Sequence, residues 1–108
     1  MLQLREYFLL QQAAVSDLSR IEVLGYHRLT QADQHYFEAV FAGLTILPID
    51  SAIINRAIMI RKAHNMKTAD AIVAATAMQA NCSLLTANTT DFMKVQGLAL
   101  ADMLISLA

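Results

Sequence analysis

One cysteine, one proline, three glycines and no tryptophan stand in a chain of 108 residues, and each scarcity excludes something. Cys82 has no second cysteine to pair with, so an internal disulfide framework is excluded and a reducing compartment, the cytoplasm, is expected. With a single proline and three glycines there is no linker composition, no repeat and no low-complexity tract, so the elements are joined tightly in one domain spanning residues 1–108. Charge is scarce too: charged residues make up 16% of the chain and the net charge is −1, which argues against a large basic face for nucleic acid. No uninterrupted apolar run approaches the roughly 18 residues of a membrane span. Arg5 and Glu6 come early and no small-residue cleavage site follows, so no signal peptide is expected.

What is abundant is apolar surface. Hydrophobic residues reach 56%, high for one modest core, and the surplus is expected to meet a partner strand or a second subunit. The six methionines read as core filler, and Cys82 as a small buried hydrophobe at a strand start. His27, His35 and His64 show no ligand spacing and read as surface residues.

Strand and helix signals alternate along the chain. Leu2 to Gln12 reads as a helix and Ala13 to Leu18 as a strand. Ser19 then resembles an N-cap with Glu22 three residues on, a capping-box spacing, ahead of a helix to about His27. Thr30 and Asp33 repeat that spacing and open a helix through Ala42, with Tyr36, Phe37, Val40 and Phe41 on its apolar face and Gly43 as its stop. Leu44 to Leu47 reads as a strand closed by Pro48. Asp50 or Ser51 caps the next helix, whose Lys62 and His64 suit the negative end of the dipole. A helix capped by Thr68, a strand at Ser83–Thr86, a turn at Thr90–Val95 and a weak strand at Leu98–Leu100 complete the pattern. This order indicates an α/β layer fold with a mostly parallel sheet.

The densest signal runs from Met66 to Phe92, MKTADAIVAATAMQANCSLLTANTTDF. Asp70 falls in the first turn of a helix whose following residues are small and apolar, and Asn88 and Asp91 follow the strand at its C-terminal end, where open α/β sheets place their sites. Two acids brought together there suggest a divalent-cation site. Ordinary local chemistry competes at each position. A first-turn acid compensates the helix dipole, Asp91 can cap a turn, Asn88 tolerates unusual turn geometry, and a capping box would account for Glu22.

These residues resemble the C-terminal half of the PIN-domain family, most closely its VapC-type toxin ribonucleases. The resemblance rests on T-A-D-A-I-V-A-A-T-A, on L-L-T-A-N-T-T-D-F, on the Val95–Leu98 segment with its Gly-Leu, and on VSDLSRIEVLG at Val15 to Gly25. It implies a PIN-like α/β fold of three layers with a mostly parallel sheet, and hydrolysis of RNA phosphodiesters by a water activated on Mg²⁺ or Mn²⁺. Glu22, Asp70 and Asp91 become the catalytic, metal-holding acids, and Thr86 and Asn88 position water or phosphate. An antitoxin protein is the implied partner. The family opens with a strand ending in Asp-Thr-Asn or Asp-Ser-Asn, and no such motif precedes Val15. The chain therefore resembles a PIN domain lacking its first strand and first acid. That strand lies between those at Ala13–Leu18 and Ser83–Thr86, so three outcomes are open: the sheet halves close on each other, a second chain completes them in a homo-oligomer, or the gene product starts upstream. A non-catalytic PIN-like module that dimerises or binds a partner is the alternative function.

Overall fold

The computed structural model describes residues 14–86 and 89–101, and the helix expected over Leu2–Gln12 lies outside them. Two compact units divide at Pro48, Met1–Pro48 and Ile49–Ala108.

The first unit holds β1 (Ala14–Ser16), α1 (Asp17–Leu24), α2 (Gln31–Ala42) and β2 (Thr45–Leu47). β1 and β2 pair in parallel, with Val15 opposite Ile46. α1 packs against α2 and β1, and α2 against β2. The strand is shorter than Ala13–Leu18 and the helix starts earlier than expected. Ser16, not Ser19, is the N-cap: its hydroxyl accepts from the Leu18 amide at 3.2 Å. Asp17 then occupies the first turn, where a negative charge is favoured, and pairs with Arg20 at 3.1 Å. Ser19 lies inside the helix, so the expected capping box with Glu22 is not made. α1 ends at Leu24 rather than near His27. Gly25 follows because a side chain there would collide with the Ile21 carbonyl. Replacing Ser16 by alanine is expected to cost about 1 kcal/mol in urea unfolding, and Ser19→Ala no more than a few tenths. Equal costs would contradict this cap assignment.

α2 has the expected bounds. The Asp33 amide donates to the Thr30 hydroxyl at 3.1 Å, and Gly43 closes the helix. Phe37, Val40 and Phe41 are half-buried, while Tyr36 is exposed.

The second unit contains α3 (Ser51–Ala63), α4 (Thr68–Gln79), β3 (Leu84–Leu85), α5 (Thr89–Phe92) and β4 (Leu100–Ala101). Asp50 caps α3, accepting from the Ile53 amide at 2.9 Å. Ile53, Ala57 and Ile60 of α3 meet Ala71, Ala74 and Ala75 of α4, with Met66, Phe92 and Val95 closing the cluster. The three alanines have no exposed surface. Small side chains let the two helices approach closely, and Thr76 satisfies its buried hydroxyl by donating to the Ile72 carbonyl at 2.7 Å.

α4 ends in a Schellman turn. Asn81 takes φ 59°, and the Cys82 amide donates to the Ala77 carbonyl at 2.9 Å. This turn delays the strand to Leu84 and leaves Cys82 exposed, a correction to its expected burial. The methionines depart from the core-filler expectation as well: Met66 is buried, but Met59 and Met93 are exposed. His64 is half-buried rather than at the surface.

β3 and β4 pair in parallel, Leu84 opposite Leu100. Between them α5 starts one residue before the expected Thr90–Val95 turn and overlaps it, and Gly97 with φ 87° supplies a backbone conformation that L side chains rarely adopt. Among the described residues the strands make two separate parallel pairs, β1–β2 and β3–β4. The parallel sense expected from the alternation is present in each pair. No helix among them is long and apolar enough to cross a membrane.

Candidate functional site

The acids singled out by sequence occupy three local environments. Asp70 is in the first turn of α4, half-buried. Lys67 is the N-cap, in place of the expected Thr68, and contributes no capping side-chain bond. The helix N-terminus thus keeps donors and the positive end of its dipole beside the Asp70 carboxylate. The core side of α4 fixes this position, since Ala71 is fully buried directly after Asp70.

Asp91 sits in α5, held in place by Phe92, whose ring is buried in the core. Its carboxylate pairs with Lys94 at 3.6 Å, with both side chains about half exposed, so the pair is weak. Glu22 belongs to the first unit, on the exposed side of α1, and is released from the capping role that competed for it. Thr86 is half-buried directly after β3, and Asn88 lies outside the described residues.

The donors suit a hard cation. Mg²⁺ takes oxygen ligands and keeps several waters, so one or two carboxylates with substrate phosphates suffice to hold it. Among the described residues, no group of three or more His, Cys, Asp or Glu is placed to hold a metal ion. The carboxylates therefore fit Mg²⁺ in kind, and the Lys94 ammonium already stands beside that of Asp91.

A separate cleft of about 500 Å³ opens in the second unit between α3, the end of α4 and the Val95–Gln96 turn. Arg56, Met59, His64, Met78 and Gln79 line it, and the Arg56 Nε donates to the Gln79 Oε1 at 3.2 Å. Neither Asp70 nor Asp91 does, so the cleft is distinct from the acidic positions. Sequence reading passed over it, although Ala52, Asn55, Arg56, Met59, Ile60 and Ala63 follow the i, i+3, i+4 spacing of one helix face.

Comparison with known proteins places these features. Solved structures share the fold, among them three toxin–antitoxin assemblies. A toxin–antitoxin complex from Klebsiella pneumoniae matches with TM-score 0.71 and 24% identity, over 90% of this chain and 83% of that one. VapBC2 from Rickettsia felis, bound to a DNA fragment from its promoter, matches with TM-score 0.76 and 17% identity, over 89% and 79%. DNA-bound VapBC from Salmonella typhimurium gives TM-score 0.77 and 20% identity, over 92% and 83%. Comparison with curated protein sequences gives no match. The PIN domain family model matches residues 4–98, a span that takes in Glu22, Asp70 and Asp91, and the chain belongs to the PIN-domain family.

Proposed function

We propose that this chain is a single-domain, VapC-type toxin that hydrolyses RNA phosphodiesters with Mg²⁺ or Mn²⁺ in the cytoplasm, restrained by an antitoxin and assembled as a homo-oligomer. The observation that carries the reading is Asp70. It is a half-buried carboxylate at the open N-terminus of an alanine-packed helix, inside a segment matched by the PIN model. The likeness of the fold to toxin–antitoxin complexes supports the antitoxin partner.

In this reading Asp70 and Asp91 of the second unit hold the ion together with waters and substrate phosphate oxygens, and Thr86 and Asn88 orient water or a phosphate oxygen by hydrogen bonds. When bound, the ion supplies a water of lowered pKa and neutralises charge on the scissile phosphate. The protein's own part is to set carboxylates of high charge density on rigid backbone. α4 does so through its buried alanine face, and α5 through Phe92.

A second reading is a non-catalytic PIN-like module that binds a partner. The Lys94 ammonium beside Asp91 favours it, since it supplies a charge that a metal would otherwise provide.

Titration of Mn²⁺ into the full chain by calorimetry, with RNA cleavage followed with and without EDTA, separates the two. Saturable binding with EDTA-reversible cleavage is the expected result. Binding without cleavage leaves the second reading, and no binding removes the metal from both.

A further inference from the structure

We propose that the cleft between α3, the end of α4 and the Val95–Gln96 turn binds a small aromatic anion, its charge held by Arg56 and its ring seated against Met59 and Met78. The cleft measures about 500 Å³, which lies within the range of small-molecule sites. Its lining belongs wholly to the second unit.

The charge of the ligand follows from Arg56. Partial burial strips water from a guanidinium, and a carboxylate is its usual compensation. Arg56 is half-buried, yet among the described residues it makes no ion pair. Among those residues no Asp or Glu lines the cleft either. The Arg56 Nε donates to the Gln79 Oε1 at 3.2 Å. That bond orients the guanidinium and uses its inner nitrogen, so both terminal amino groups remain for a ligand. Their parallel N–H groups match the paired oxygens of a carboxylate or a phosphate. His64, half-buried and lining the same cleft, offers a ring nitrogen as a further polar contact.

The body of the ligand follows from the methionines. Met59 is 70% exposed and Met78 half-buried, and the buried Ile60 and Val95 continue the apolar wall. Covering an exposed methionine is favourable, and its polarizable sulfur gains most beside an aromatic ring. An aliphatic chain would meet the same wall without that contact. One cation and one apolar wall in a single cleft select an anion and a ring on the same molecule.

NMR of the full chain with isotope-labelled methionine methyls tests the proposal, the signals being assigned with Met59→Leu and Met78→Leu. Phenyl phosphate and phenylacetate are the probes. Inorganic phosphate carries charge without the ring, and benzyl alcohol the ring without charge. Saturable shifts of the Met59 and Met78 methyls with either aromatic anion are the expected result. The tighter of the two identifies the anionic group as phosphate ester or carboxylate. Both fragments should bind at least tenfold more weakly. Arg56→Ala should weaken probe binding at least tenfold, and Arg56→Lys, which keeps the charge but not the fork, should recover only part of it. Gln79→Glu decides the case if Arg56→Ala fails to fold. Its position is exposed, and the new carboxylate would compete for Arg56, with a comparable loss of binding. Absent shifts with both probes overturn the proposal, as does benzyl alcohol binding as tightly as phenyl phosphate, or an affinity unchanged by the variants. Methyl shifts that follow protein concentration rather than probe would mean that a second copy covers the cleft, and overturn it too. EDTA is expected to leave the probe shifts unchanged, so this site and the metal site stand or fall separately.

Discussion

Asp70→Asn is expected to weaken Mn²⁺ binding by at least tenfold and to abolish any metal-dependent RNA cleavage, while the chain stays folded. The substitution keeps size and a hydrogen-bonding oxygen at the start of α4, so the helix loses only its favourable charge–dipole term, about 0.3–1 kcal/mol. The loss to a cation is larger, because a neutral amide oxygen replaces a carboxylate. Changes to groups that merely support a metal ligand already cost 10–100-fold in affinity. The contrast between a small stability change and a large affinity change is what separates a ligand from a dipole-compensating acid. Calorimetry with Mn²⁺ and a thermal melt on the same samples read both. Unchanged affinity would return Asp70 to ordinary helix chemistry, and with it the observation that carries the proposed function.

Phe92→Ala is expected to give the largest loss of stability, about 3–5 kcal/mol in urea unfolding. Phe92 is 4% exposed and joins α5 to the cluster built by α3 and α4. Small domains hold only about 5–15 kcal/mol in total, so the variant stands near the edge of folding at ambient temperature. The same side chain fixes the backbone that presents Asp91, so cation binding should weaken in the fraction that remains folded. A loss under about 1 kcal/mol would mean that the ring contributes little to the core and that Asp91 is placed by something else.

Much of this was legible in the chain because the deciding signals are local. Thr30 with Asp33 and Asp50 ahead of Ile53 are caps whose partners lie three residues away, and both form. The run from Ala71 to Ala77 announced a closely packed helix for the same reason. Where two local solutions competed, sequence could not choose. Ser16 and Ser19 are three residues apart, and either hydroxyl can cap; the outcome turned on where β1 stops pairing with β2, a contact with residues some thirty positions away. Cys82 was misjudged because its exposure follows from the left-handed turn at Asn81, which depends on how the helix ends rather than on what cysteine prefers. The strands were placed to within a residue or two, but they are only two or three residues long and their pairing is non-local. At the site, the positions of Asp70 and Asp91 follow from element order. Glu22 does not reduce to order alone, because its role depended on which serine capped α1.

The close contact of α3 with α4 also bears on how the second unit is reached from the unfolded chain. The two helices are consecutive, and bringing them together closes only the short connection at His64–Lys67, so little loop entropy opposes the encounter. The β3–β4 pair, by contrast, must close the whole segment from Leu85 to Leu100 for a few backbone hydrogen bonds. Sequence-local contacts of the first kind form early and fast. The helical hairpin is therefore expected to form first in this unit, with the segment bearing Asp91 ordered on it afterwards.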